Sequence, residues 1–369
     1  MSLRHISLLT FFTAGTILLT ALVYLTLSRQ VLYCAHKTPE SAPKQVPQLD
    51  KLAYDRKMLA LAHVSTTTIS KLVLAPTPGD RTLSSFTESS LASSTIRQWP
   101  TRSTYPNAGA LLPFNRIVAY YGNFYSKGMG ILGEADASST LAKLQKAAAE
   151  WSEADPSTPV IHAIDYIAVA AQDRPGKDGK YRIQMPDNQI DKALEMARQV
   201  NGIVILEMQI GFSTLQRDLP SLEKYLSMPQ VHLALDPEFS MKHKGAPGDE
   251  IGTFSSADIN YAAQYLQGLV QKHNLPPKIL IVHRFTEEMV TGYRNIKPLP
   301  EVQIVMDMDG WGYGARKVGT YERVIMDEPV QFTGFKIFYK NDMKPPSTRL
   351  MTPKEVLELT PAPSFIQYQ

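Results

Sequence analysis

From Arg116 to the C-terminus, short apolar runs recur at near-regular intervals: residues 117–121, 160–169, 203–208, 231–235, 279–282, 302–308, 334–339 and 364–368. Runs of this length, rich in Val and Ile, read as strands buried on both faces. Most are separated by helical patterns. Leu141, Leu144, Ala148 and Trp151 repeat at three- and four-residue spacing after Ser138 and Ser139, which read as the N-cap. Ser255 and Ser256 open another helix, with Ile259, Leu266 and Val270 on its buried face. Thr352-Pro353-Lys354-Glu355 reads as a capping box with Pro at the first helical position. Eight strands alternating with helices predict parallel β/α units with right-handed crossovers. The 254 residues from 116 onward match the ~250 typical of a (β/α)8 TIM barrel. A doubly wound open sheet is the competitor. It would want a Gly-rich phosphate turn after its first strand, and Gly128-Met129-Gly130 has no third glycine.

Ahead of the barrel the pattern is different. Residues 6–27 are an apolar run broken only by Ser, Thr and Gly and flanked by Arg4 and Arg29, about 33 Å long as a helix and so able to cross a hydrocarbon core. Residues 1–30 therefore read as a membrane anchor or signal segment. Val31-Leu32-Tyr33 offers no small-residue cleavage site, and Tyr33 sits awkwardly ahead of Cys34 for lipid attachment. An uncleaved transmembrane helix is the expectation, with the barrel on the extracytoplasmic side of the cell membrane. Residues 31–112 read as a Ser/Thr/Pro-rich stalk, with a short helix over 52–61, and residues 113–369 as the barrel.

Composition narrows the chemistry. The formal charge of +3, with no basic block, argues against a nucleic-acid partner. One cysteine excludes a disulfide framework and any zinc site built on two thiolates of one chain. There is no P-loop and no Ser nucleophile elbow, and no cofactor is predicted. What remains is a set of polar residues at the carboxyl ends of otherwise apolar strands, where a barrel carries its active site. Side chains alternate across a strand, so residues of one parity share a face. Asp165 lies in the second run, Glu207 with Gln209 at the third, and His232, Asp236 and Glu238 at the fourth. His283 ends the fifth, Asp307 and Asp309 the sixth, Lys336 or Lys340 the seventh, and Gln367 and Gln369 the eighth.

Converging carboxylates repel unless they share protons, bind a cation or perform acid–base work. The densest motif, Leu235-Asp236-Pro237-Glu238, suggests Glu238 as a general acid tuned by Asp236, with Asp307 or Asp309 as base or stabiliser. Glu207, His283, Arg284 and Gln367 would position a substrate, with Asp165, Gln209 and Lys336 beside them and Tyr121 and Trp311 stacking on sugar rings. The expected partner is a carbohydrate. Two alternatives are a non-catalytic glycan-binding or scaffold protein of the cell envelope and a divalent-cation-dependent hydrolase. For the second of these, His283 with Asp236, Glu238 and Asp307 is the set that would form a divalent-cation site, though no metal ligand is assigned.

Tyr120-Tyr121-Gly122, Gly130-Ile131-Leu132-Gly133-Glu134, Leu235-Asp236-Pro237-Glu238, His283-Arg284-Phe285, Met308-Asp309-Gly310 and the closing Pro363-Ser364-Phe365-Ile366-Gln367-Tyr368-Gln369 carry a resemblance. Over about 116–369 the chain resembles a group of uncharacterised bacterial exported proteins, many of them predicted lipoproteins. The resemblance implies a glycosidase-like barrel in the cell envelope. The Asp-x-Glu is also similar to that of chitinase-type hydrolases, where the Glu is the acid, although Leu233 and Ala234 stand where further Asp and Gly would be expected. Barrel enzymes that use two glutamates carry a nucleophilic Glu on the seventh strand, and residues 334–340 contain none.

Overall fold

The computed structural model describes residues 48–64, 98–101, 103–242 and 245–369. The apolar run at 6–27 and Cys34 lie outside the described residues. Among the described residues no helix is long and apolar enough to cross a membrane.

All eight expected strands form: β1 (Arg116–Gly122), β2 (Val160–Ala171), β3 (Ile203–Met208), β4 (Val231–Leu235), β5 (Lys278–Arg284), β6 (Val302–Met308), β7 (Phe332–Ile337) and β8 (Phe365–Tyr368). Each pairs in parallel with its sequence neighbours, and β1 pairs with β8 through Ile117–Phe365 and Tyr120–Tyr368, so the sheet closes into a barrel. A short strand, Arg182–Gln184, extends the β2 edge in antiparallel fashion.

Alternation along the strands creates two separate apolar regions. Val118, Ile164, Val204, Leu233, Leu280 and Ile304 face outward. They pack with Leu141, Leu144 and Trp151 of α2 (Ala137–Ala154) and with Ile259 and Leu266 of α4 (Ser256–His273), after α1 (Lys51–Leu61) and α3 (Asp187–Gln199) in chain order. The other parity, with Ile117, Ala119, Ile205, Ala234, Ile281 and Val305, fills the amino-terminal half of the barrel interior. The helix starts are set by side-chain caps. Ser255 caps α4 reciprocally with Asp258, and Thr352 does the same with Glu355, as the sequence predicts. In α2 the cap is Asp136, whose Oδ1 accepts from Ser139 N at 2.9 Å. Ser138 and Ser139 therefore lie inside the first turn. An ionised carboxylate is the better acceptor at the positive end of the helix dipole.

The segment read as a stalk is partly packed. Helix α1, over nearly the expected residues, buries Tyr54 and Met58 in the same cluster as the inward barrel residues. Tyr54 meets Tyr105 edge-on at 5.5 Å, Tyr105 OH donates to Asp55, and Ala362 N donates to Leu61 O just ahead of β8. Leu112 is clamped by the inward Gln303, whose carboxamide accepts from Leu112 N at 3.1 Å and donates to Leu112 O at 2.6 Å. These segments floor the barrel at the amino-terminal ends of its strands. Met58→Ala is expected to cost about 2–5 kcal/mol, read from urea denaturation, because the site is only 4% exposed and cannot collapse around the lost volume. A change under 0.5 kcal/mol would mean that α1 is not part of the folding unit.

Candidate active site

Above the apolar half of the interior the same inward parity turns polar. Each strand end contributes one residue: Tyr121, Asp165, Glu207, Asp236, His283, Asp307, Lys336 and Gln367, none more than 4% exposed. The layer is tied together by side-chain contacts. Tyr121 OH donates to Glu207 Oε1 at 3.0 Å, and Gln209 Nε2 lies 2.9 Å from the same oxygen and 3.2 Å from Asp236 Oδ2. Gln367 Nε2 donates to Asp165 Oδ2 at 2.6 Å. His283 Nδ1 sits 2.9 Å from Asp307 Oδ2, and its Nε2 is 3.1 Å from Glu207 Oε2. Lys336 Nζ is 3.2 Å from Asp309 and lies 4.0 Å above the Tyr121 ring.

Gly334 makes room for this arrangement. A Cβ there would stand 2.4 Å from Asp307 Oδ1 and 2.9 Å from the Phe365 ring, so the inward position on β7 has to be bare for Asp307 to lie across it.

Two groups of opposite sign set the electrostatics. Burial alone would depress the His283 imidazole, but Asp307 and Glu207 outweigh it and hold the group well above its usual value. Burial likewise opposes charge on Lys336, and the surrounding carboxylates, Asp309 first, reverse that and raise it. Glu207 is the carboxylate that gains most: His283, Lys336 and Tyr121 overcome its burial and hold it low. Asp236 is pushed well above the carboxylate range by burial, Glu207 and Glu238, and Asp165 is pushed up to about 8 by burial and Glu207. Asp165 accordingly keeps its proton at neutral pH.

An open cleft of about 940 Å³ lies over this layer. Tyr121, Gln209, Asp236, Glu238, Asp309 and Lys336 face it, with Trp311, Phe239, Phe285 and Arg316 on its walls. Asp165, Glu207, His283, Asp307 and Gln367 are wholly buried and do not line it. Sequence parity alone could not separate Asp307 from Asp309; height along the strand does. Asp307 holds the imidazole from the neighbouring strand, level with it, and Asp309 lies further along and meets the cleft.

Glu238 reaches the cleft through a local device. Asp236 Oδ1 accepts from Glu238 N at 3.0 Å and caps a single 3-10 turn over Pro237–Phe239, with Pro237 at its first position. The loop at Gly252 closes on this turn, Gly252 N donating to Glu238 O at 2.6 Å, and a Cβ there would strike Pro237 O at 2.5 Å. Burial and then the charge of Asp309 push the Glu238 carboxyl up to about 7, with Lys336 pulling the other way. Glu238 in turn helps to raise Asp236, in keeping with the expected coupling of the two carboxyls. Asp236 shapes the turn, and the carboxylate pressing on Glu238 is Asp309.

Three other expected positions fall elsewhere. Arg284 has the opposite parity to His283, so it points into the outer shell, pairs with Glu328 at 2.7 Å and donates to Glu287 O. Lys340 is a surface residue paired with Glu134, which leaves Lys336 as the inward cation of β7. His232 is inward but lower in the barrel, accepting from Ile279 N at 3.0 Å, and burial takes its imidazole down to about 3. Trp311 does lie at the cleft, 44% exposed, with Arg316 and Lys344 both about 5 Å from its ring. Arg316 was not among the expected residues. It sits on α5 (Gly314–Tyr321), in the connection that follows β6, where proximity to a strand end is its one signal in the sequence.

No protein-family model matches the chain, and no curated protein matches it. The resemblance to exported proteins accordingly has no support beyond its motifs. Similar solved structures include a xyloglucan-specific endo-β-1,4-glucanase of glycoside hydrolase family 5 from a metagenomic library, in complex with cellotriose. That match has 9% identity and a TM-score of 0.37, covering 70% of this chain and 88% of the other. The cellulose synthase subunit Z of Clostridioides difficile matches at 11% identity and a TM-score of 0.36, covering 69% and 91%. A trimodular endoglucanase of subfamily GH5_4 matches at 8% identity and a TM-score of 0.39, covering 70% and 56%. At such distances these likenesses say nothing about activity, and the barrel stands on its own strand pairing.

Proposed function

We propose that the protein is a glycoside hydrolase whose substrate lies in the cleft over the strand ends. The observation that carries this reading is a pair of carboxyl groups facing one cleft in unlike surroundings. Glu238 keeps its proton up to about pH 7. Asp309 is raised by burial too, yet the Lys336 ammonium 3.2 Å away opposes that and favours its anion. Environments that split two neighbouring carboxyls assign the acid and the base. Glu238 gives its proton to the glycosidic oxygen as the C–O bond breaks. Asp309 stabilises the positive charge developing on the sugar ring and takes a proton from the water that replaces the leaving group. Trp311, partly exposed on the cleft wall, offers apolar surface for a sugar. With this we propose that residues 6–27 tether the barrel to the cell membrane, placing the cleft on the extracytoplasmic side, where polysaccharides are found.

The test is a panel of β-glucans, xyloglucan, peptidoglycan and other envelope glycans incubated with the full-length chain at pH 6, reading new reducing ends. Turnover of at least one polymer is expected. Binding of glycans with no new reducing ends from any of them would overturn the hydrolytic reading and leave a binding protein.

A further inference from the structure

We infer that the buried layer beneath the cleft is a binding site for one first-row divalent metal ion, held by Asp165 Oδ1, Glu207 Oε2 and His283 Nε2. The inference stands apart from the proposed hydrolysis and has its own readout.

Three observations carry it. The first is convergence: one ligating atom from each of these residues lies within 4.8 Å of the others, and all three side chains are wholly buried. Ligands on one ion with bonds of about 2.0–2.2 Å stand roughly 3–4.3 Å apart, so small rotations complete the site. The second is that Asp165 Oδ1, wholly buried, has no hydrogen-bond partner in the protein. His283 Nε2 and Glu207 Oε2 face each other at 3.1 Å as an ion pair, and an ion bound between them would take both atoms as ligands. An unpartnered buried polar atom is costly, and one on Asp165, whose carboxyl lies beside this pair, calls for an occupant.

The third observation is how the opposite atoms of the same side chains are held. Asp165 Oδ2 accepts from Gln367, Glu207 Oε1 accepts from Tyr121 and Gln209, and His283 Nδ1 is 2.9 Å from Asp307. A ligating imidazole almost always gives its other N–H to a carboxylate or carbonyl, and ligating carboxylates are themselves hydrogen-bonded. Each of the three groups thus has one atom fixed from behind, which leaves its other atom for an ion.

The donor set names the metal class. Binding displaces the protons that Asp165 and the imidazole carry in the empty site, after which two carboxylates balance a dication. One nitrogen among the oxygens favours Mn²⁺, Fe²⁺, Co²⁺ or Zn²⁺ over the all-oxygen surroundings of Ca²⁺ or Mg²⁺. The ligands come from β2, β3 and β5, so an ion here would cross-link three strands of the barrel.

The experiment uses the full-length chain, stripped with a chelator, desalted, and loaded with Mn²⁺ or Zn²⁺ at pH 7.5. Metal content is read by mass spectrometry and the melting temperature by calorimetry. One equivalent per chain and a raised melting temperature are expected. Asp307→Asn should weaken binding about 10–100-fold, as the loss of a supporting carboxylate does elsewhere. Asp165→Asn and Glu207→Gln should each weaken it further. Fewer than about 0.1 equivalents in the wild-type chain would overturn the inference, and so would unchanged affinity in both ligand variants. Should those variants fail to fold, ¹⁵N histidine spectra of the wild type decide. Zn²⁺ must convert one solvent-shielded imidazole to a neutral ring metallated at Nε2, and spectra in which no such imidazole changes overturn the inference.

Discussion

Glu238→Gln is expected to lower kcat by roughly 10²–10⁴-fold on any glycan the protein turns over, with little change in glycan affinity. The amide keeps the shape of the acid and leaves the turn intact, because Asp236 caps the backbone N of residue 238 rather than its side chain. Only the transferable proton is lost. In the wild type, kcat/KM should fall as pH rises through about 7, where the Glu238 carboxyl ionises. That limb should vanish from the residual rate of the variant.

Stability should report the same group independently. The folded-state value of Glu238 is raised above the ordinary carboxylate range, so the protonated form is favoured by folding. Its contribution is present in full below the unfolded-state value and is lost as pH rises through about 7. Glutamine carries no such dependence. The variant should therefore melt progressively higher than the wild type as pH rises from about 5 to 8. Parallel melting curves across that range would mean that Glu238 is not a perturbed acid, and the assignment would fall with them.

Lys336→Met is expected to destabilise the protein by about 3–5 kcal/mol. The ammonium lies 3.2 Å from Asp309, and its charge also reaches Glu207, Asp236 and Asp307. Removing it leaves Asp309 buried without its cation. Adding Asp309→Asn should recover much of the loss, since the cost lies in the stranded charge rather than in the missing contact. Lys336 also holds the Glu238 carboxyl down, so any activity left in the single variant should show its alkaline limb shifted upward. Denaturation of the two variants beside the wild type, with a pH–rate profile, checks both statements. A single variant as stable as the wild type would show that Asp309 is already protonated.

Much of this was legible in the chain because a barrel strand repeats one rule. With both faces buried, a polar residue near a strand end is conspicuous, and parity states which neighbours share its side. That rule finds the whole inward layer from Asp165 to Gln367 and, applied consistently, would also have sent Arg284 outward. It has no information on height, so Asp307 and Asp309 looked equivalent until β6 was placed in the barrel. Nor does it see the consequence of Gly334, a residue that supplies nothing but the space for Asp307. Helix α1 was expected as an element but not as the barrel floor, because Tyr54 and Met58 show their purpose only against the interior they cover. Asp136, Ser138 and Ser139 are all good capping types, and only the bond from Ser139 N decides among them. The cleft walls come from the connections after the strands, where no period exists to be read.

The apolar lower half of the barrel has a consequence for the charges stacked on it. With Ile117, Ile205, Ala234, Ile281 and Val305 below and apolar outer strand faces around it, the polar layer is shielded on those sides among the described residues and meets solvent at the cleft. Screening by dissolved salt is strong between exposed charges and weak between buried ones. The balance among Glu207, His283, Asp307 and Lys336 is thus insulated from the ionic strength outside, and osmotic or saline swings in the surroundings leave the acidity at the bottom of the cleft much as it was.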